Sequence, residues 1–437
     1  MVYLLIIVFA FFGVFGHDFR PDASEKLWRK IFWIFTSAVI ICVSCRKHLG
    51  IDFVVYDSRV INSLSLPDLF SSGTRLFRNR LDILFMIIKP LSDPWRSLAL
   101  QSVFSLLLTI PFSCFLLRNT RYWFSCYILF FITVFFPLEF EVIFQGAAVG
   151  IFLWAYRDLK HNRLWTYLIK VLVAAYFHFS AISMMLLPLL LRKNISSKII
   201  SYRIFPFLAV AVCAGSLILP FITPVFDSIA DLFPVGSYIG FFFRRVVYNL
   251  SENISTIVSS YNWKGWTGHI VTFMIFPTAI FYILRKYTSD TRFMTLVALS
   301  ALLSIGSVTL EVCLRLNYYL LPFFYVAIME ICPQQSDRMF ELHIPGLGPI
   351  TSTAMRKCVW LVLLSPMIFF NINKFRAPMK YHKDLCGFNA YYPYLNWIQN
   401  QDTHERDSIA GTFYDLRFEQ NPETTRFHQK LLNEKIK

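Results

Sequence analysis

Long apolar runs constrain this chain before any other feature does. Continuous apolar stretches of about 15 to 22 residues recur along it, the length a helix needs to cross a hydrocarbon core of roughly 30 Å. A membrane β-barrel would instead alternate apolar and polar residues along each strand. Of the 437 residues, 56% are hydrophobic, 18% aromatic and 16% charged. A soluble chain would carry about 25% charged residues. The expected architecture is an all-α polytopic membrane protein.

Twelve candidate segments can be placed, at 2–16, 31–45, 97–117, 122–136, 142–156, 166–177, 179–191, 204–222, 269–284, 294–310, 316–332 and 358–372. No basic residue precedes the first, and Arg20, Lys26, Arg29 and Lys30 follow it. That order disfavours a cleaved signal and puts the N-terminus outside. Loops 17–30, 118–121, 157–165, 192–203, 285–293 and 333–357 then face the cytoplasm and carry 19 Lys and Arg between them. The opposite-side turn 137–141 holds Glu139 and Glu141 and no basic residue. Part of the net charge of +15 is therefore topological, and basic residues spread between helices do not suit nucleic acid. Most of the nine cysteines lie inside apolar runs. Cys42-Val-Ser-Cys45 has no second pair and no neighbouring His, so it reads as small-residue packing.

The chain is read as one polytopic domain, 1–437, with three large non-cytoplasmic parts: 46–96, 223–268 and 373–437. Within the first, residues 80–91 read as a short interfacial or re-entrant helix. Segment 166–191 is irregular, being 26 residues long with basic flanks at both ends. Two short helices turning at 177–180 return both flanks to the cytoplasm. Each half then spans only about 18–20 Å, which puts the turn in a recess. His178 is the candidate floor of that cavity. The competing reading is one long tilted helix with a packed histidine.

No phosphate-binding glycine loop, dinucleotide fingerprint, His-Glu-x-x-His or Gly-x-Ser-x-Gly motif is present, nor a His/carboxylate cluster at metal spacing. What remains is a set of polar groups placed where they are costly. Residues 46–56, RKHLGIDFVVY, put Arg46, Asp52 and Tyr56 at the end of an apolar run. Gln145 opens the fifth segment. Glu311 and Arg315 lie four apart near one helix end, as an ion pair or as site residues. Arg315 is followed by Tyr318 and Tyr319, and Arg244-Arg245 lies in the second outer loop. The Trp263/Trp266 and Tyr391/Trp397 clusters suit sugar stacking or an interfacial aromatic belt. Outer-side arginines, a His and one or two carboxylates suit transfer from an anionic leaving group. Arg holds the diphosphate, and a His or Asp takes the proton of an acceptor hydroxyl.

These residues also resemble a family, the EpsG-like branch of the Wzy-type O-antigen and exopolysaccharide polymerases. The Arg-x-x-x-Gly-x-Asp-Tyr-x-x-Tyr signature of that family is matched by Arg46, Gly50, Asp52, Phe53 and Tyr56, with Phe in place of the first Tyr. Its Arg-Gln before a small-residue helix is Phe144-Gln145 here, with Arg244 or Arg245 as candidate replacements for the missing cation. Its Phe-His-x-Ser/Thr-Ala is Phe177-His178-Phe179-Ser180-Ala181. Arg315, Tyr318 and Tyr319 match a later Arg and Tyr-Tyr, and Tyr392-Pro393-Tyr394 the closing Pro-Tyr.

The resemblance implies a fold similar to GT-C membrane glycosyltransferases in a bacterial cytoplasmic (inner) membrane, with the active site on the non-cytoplasmic side. It implies metal-independent transfer of a polyprenyl-diphosphate-linked glycan onto a lipid-linked repeat unit. His178, Asp52 and Arg46 are the implied catalytic residues. Arg315, Tyr56, Gln145, Glu311, Tyr319, Arg244 and Arg245 are the implied substrate contacts. Partners are the polyprenyl-diphosphate-linked oligosaccharide, membrane lipid and a chain-length regulator protein, with no cofactor and no nucleic acid. Two other classes stay open: a lipid-linked oligosaccharide flippase and a membrane O-acyltransferase modifying a surface glycan. Glycan length, lipid orientation and acetyl content separate the three.

Overall fold

The computed structural model describes residues 2–20, 23–46, 82–92, 95–200, 270–285, 288–308 and 310–334, with Tyr56, Val60, Ile61 and a few positions between 204 and 268. The expected segments 204–222 and 358–372, the loop 223–268 and the tail 373–437 lie wholly or mostly outside the described residues. All regular structure among the described residues is helical. Among the described residues three helices are long and apolar enough to cross a membrane, Glu25–Ser44, Trp95–Asn119 and Val312–Glu330, and six shorter apolar helices accompany them. The chain divides into two compact units at Ile182.

The first unit contains α1 (Val2–Gly13), α2 (Glu25–Ser44), α3 (Asp82–Ile88), α4 (Trp95–Asn119), α5 (Trp123–Phe130), α6 (Ile143–Lys160) and α7 (Leu164–Phe177). Helix α2 begins six residues before the expected span. An exposed Arg29–Glu25 pair at 2.7 Å, one turn apart, continues it through the basic stretch. Helix α3 is the expected short helix within 80–91. The α6–α7 turn uses Asn162 at φ 58, a left-handed conformation that Asn tolerates well. An ion pair from Lys170 to Asp158 at 2.6 Å then ties the two helices together.

The outward faces are apolar. On α7, Trp165, Ile169, Leu172, Val173 and Tyr176 are solvent-exposed in the isolated chain, while Tyr167, Val171 and Ala174 are buried. Leu4, Leu5, Val8 and Phe12 form a similar exposed row on α1. Apolar surface of this extent marks contact with lipid rather than water. The protein is a membrane protein.

Helix α6 packs closely against α4 and against the turn that precedes it. A Cβ built on Gly150 would lie 1.9 Å from the Leu107 carbonyl oxygen, and one on Gly146 would lie 2.4 Å from that of Leu138. Both obstacles are backbone, so no side-chain rotation relieves them. The pair is a small-xxx-small motif that seats α6 on two neighbours at once. A hydroxyl pair, Thr36 Oγ1 and Ser113 Oγ at 3.1 Å, joins α2 to α4.

The expected turn 137–141 is built as π-helix. Two π-helical turns, Phe131–Phe135 and Pro137–Glu141, continue from α5. Pro137 has no N–H to give to an α-helical ladder. The wider turn closes instead through Val142 N–H donating to Pro137 O at 2.8 Å. As a result Glu139 and Phe140 are buried.

The second unit contains α8 (Leu187–Leu190), α9 (Lys193–Ile199), a π-helical turn Val271–Ile275 leading into α10 (Phe276–Leu284), α11 (Thr291–Gly306) and α12 (Glu311–Gln334). Asp290 caps α11 by accepting from the N–H groups of Arg292 and Phe293 at 2.9 and 3.1 Å. Asn317 locks α12 to α11. Ser300 Oγ donates to its Oδ1 at 2.7 Å, and its Nδ2 donates to Ser304 Oγ at 2.8 Å.

Gly150→Leu is expected to destabilise the protein by about 2 kcal/mol or more, because overpacking here meets a backbone carbonyl. The check is the thermal unfolding midpoint of the detergent-solubilised protein. An unchanged midpoint would refute the close α4–α6 approach.

Candidate functional site

Three of the sequence motifs converge in the first unit, and helix α4 organises them. Its buried face carries Gln101, Phe104, Ser105, Leu108 and Thr109, at the spacing of one helical stripe. Each end of that stripe holds a different part of the site.

At the α2 end, Gln101 gathers the last carbonyls of α2. With its amide nitrogen turned toward them, it donates to the carbonyl oxygens of Val43, Ser44 and Arg46 at 3.2, 3.1 and 2.9 Å. That orientation is the one the hydrogen-bond network demands. These are carbonyls that a helix C-terminus leaves without intrahelical partners. Gln101 thereby fixes the backbone from which Arg46 projects.

The Arg46 side chain is buried, at 4% exposure. Its guanidinium carbon sits 4.5 Å from the centre of the Phe140 ring. Its Nη1 donates to Val43 O at 3.5 Å, a long and weak contact. A cation–π contact contributes about 2 kcal/mol or more when desolvated. Removing a guanidinium from water costs several kcal/mol even after relaxation. Glu139, the residue before Phe140, is buried, and Thr109 Oγ1 donates to its Oε1 at 2.6 Å. Burial disfavours its charged form, while the Thr109 hydrogen bond and the Arg46 charge favour it.

Around Phe104 lies an aromatic cluster. Phe144 packs on Tyr56 at 4.8 Å, Phe104 at 5.0 Å and Phe85 at 6.1 Å between ring centres. Phe177 meets Phe104 edge-on at 6.1 Å. Val60, Ile88, Leu100, Ile143 and Ala147 complete the cluster. So Tyr56, the Phe144-Gln145 pair and Phe177, the neighbour of His178, share one packed region. Gln145 itself is fully buried. The position where the family resemblance leads one to look for a cation holds a ring set among three other rings.

The irregularity at 166–191 is a real break. Helix α7 ends at Phe177, and His178 is extended at φ −146 and ψ 121. A 3₁₀ helix, Phe179–Leu186, follows. His178 is half-buried, and its Nδ1 shares a 2.6 Å hydrogen bond with Ser180 Oγ. The single long tilted helix is excluded.

In the second unit Arg315 lies one turn into α12, half-buried, with Tyr318 and Tyr319 buried beyond it. Glu311 opens the same helix. Asp52, Arg244 and Arg245 lie outside the described residues, as do Gly50 and Phe53. The residues that sequence reasoning missed are Gln101, Thr109 and, as a buried group, Glu139.

The described helices of the first unit thus hold a buried arginine, a buried carboxyl group and a histidine at a helix break. A family model, the EpsG family, matches residues 30–341. The chain belongs to the EpsG family, and is a polymerase-like membrane protein of polysaccharide biosynthesis. Comparison with curated proteins and with solved structures gives no match.

Phe144→Arg is expected to lower the yield of monodisperse protein and its thermal midpoint sharply, since an uncompensated charge would enter the ring cluster. Phe144→Leu, close in volume, is expected to stay near wild type. A stable Phe144→Arg protein would show that the position accepts the cation after all.

Proposed function

We propose that the protein is an oligosaccharide repeat-unit polymerase that transfers glycan from a polyprenyl diphosphate onto a lipid-linked repeat unit, on the non-cytoplasmic side of a bacterial inner membrane. The observation that carries this reading is the buried Arg46, permanently charged and anchored through its backbone at the end of a membrane-length helix. Membership of the EpsG family supports it.

In the reaction, an acceptor hydroxyl oxygen bonds to the anomeric carbon of the donor glycan. The bond from that carbon to the diphosphate oxygen breaks, and polyprenyl diphosphate leaves with the electron pair. Arg46 binds the diphosphate and stabilises the charge that grows on it. His178 takes the acceptor proton. If its Nδ1–H donates to Ser180 Oγ, Nε2 is the acceptor that a general base requires. Asp52 orients Arg46 or the acceptor, and Tyr56 and Gln145 line the substrate region. In the second unit Arg315 is a further cation for sugar-phosphate groups, with Tyr319 and Glu311 on the same helix. Arg244 and Arg245 are assigned to substrate contacts from the loop 223–268. The reaction uses no metal, because arginine carries the leaving-group charge. The break at His178 is assigned to a recess open to the non-cytoplasmic side.

The test is the glycan length profile of cells lacking the protein, complemented with wild type, His178→Ala or Arg46→Ala. Wild type should restore a ladder, and both variants should give single repeat units at matched protein levels. Long-chain glycan from both variants would remove these residues from the site. An unchanged ladder in the deletion would reject the polymerase and turn attention to lipid flipping and acetylation.

A further inference from the structure

Glu139 has no place in the sequence motifs, yet its side chain is buried and held by Thr109 in the turn whose next residue meets Arg46. Residues 137–141 are pressed against α6, where Gly146 leaves room only for the Leu138 carbonyl. That contact keeps the turn inward. Thr109, from the stripe of α4 that also carries Gln101, donates to Glu139 Oε1 at 2.6 Å. The next residue, Phe140, presents its ring to the Arg46 guanidinium at 4.5 Å. Of two consecutive residues of one turn, one thus presents its ring face to the cation and the other is a buried carboxyl group held by Thr109. Gln101 holds the backbone of that cation from the other side.

We propose that Glu139 is a positioning residue for the transfer reaction, setting the orientation and charge balance of the Arg46 guanidinium before the donor diphosphate arrives. This rests on the polymerase reading. Glu139 does not touch the reacting atoms. It works through Arg46, keeping a buried guanidinium in one pose so that diphosphate binding needs no rearrangement. Thr109 is part of the device because it holds the carboxylate still.

The variants follow from the geometry. Glu139→Gln keeps the size of the side chain and an oxygen to accept from Thr109, and removes only the charge. Glu139→Asp keeps the charge and draws it back by one carbon. Full-length protein, purified in detergent and placed in nanodiscs, is measured in two ways. One is the initial rate of glycan extension at saturating lipid-linked repeat unit. The other is binding of undecaprenyl diphosphate without its glycan.

Glu139→Gln should fold and elute as wild type while its extension rate falls about tenfold or more. Glu139→Asp should recover part of that rate. Combined with Arg46→Lys, Glu139→Gln should add little further loss, because both act on one pair. A Glu139→Gln protein with wild-type rate and wild-type diphosphate binding would overturn the proposal, as would losses that simply multiply with those of Arg46→Lys. Equal loss of thermal midpoint and rate in both Glu139 variants would also overturn it, by showing a merely structural role.

The two measurements keep this failure distinct from that of the polymerase reading. If no extension occurs with any protein, polymerisation is wrong, and diphosphate binding still decides whether Glu139 acts through Arg46. If extension needs Arg46 and is indifferent to Glu139, the polymerase stands and the positioning role falls.

Discussion

The first unit depends on a close backbone approach. Gly150 and Gly146 let α6 lie directly on the carbonyls of Leu107 and Leu138. In a membrane there is no hydrophobic force between helices, so packing contacts and internal hydrogen bonds set the association. Two glycines one turn apart supply the packing on two sides. One side seats α4, whose polar stripe reaches Arg46 and Glu139. The other seats the turn 137–141, which carries Glu139 and Phe140. Any side chain at either glycine would push one of these away, and the buried cation would lose its surroundings.

Several polar groups in this unit meet in pairs or small sets. Gln101 answers the α2 carbonyls, Thr109 answers Glu139, and Thr36 answers Ser113. A further set lies around Asp18, which accepts from Ser125 N–H and Oγ at 2.7 Å each and shares a 2.9 Å hydrogen bond with His17. The ring of His17 stacks on Trp123 at 4.2 Å. That set joins the π-helical turn Val14–Asp18, which follows α1, to α5 and acts as a structural staple, since its carboxylate is occupied on both oxygens.

Much of the site was legible in the sequence for one reason: charge at the end of an apolar run is costly and so conspicuous. Arg46 and His178 were found that way, and the break at His178 was read from basic flanks on both sides of a segment too long for a simple helix. Glu139 was visible only as a loop charge. Its five-residue interval between apolar runs looks like any exposed turn, and nothing local says that π-helical turns bury it. Gln101 and Thr109 were hidden in an apolar helix, where a lone polar side chain has many uses. Phe144 shows the reverse case, where a resemblance pointed to a missing cation and the packing shows a ring cluster that occupies the position.

The sequence by itself determined that this is a helical membrane protein, roughly where its described helices lie, and which side chains are candidates to carry chemistry. Those follow from local quantities: run length, the hydrogen-bonding demands of the backbone in lipid, and the cost of burying charge. Only the tertiary structure decided which of those side chains meet. Thr109 and Glu139 are thirty positions apart, and Gln101 and Arg46 are on different helices. Their meeting is set by how closely helices approach at Gly146 and Gly150. That distance is fixed by the shapes of two surfaces together, and neither stretch of sequence contains it.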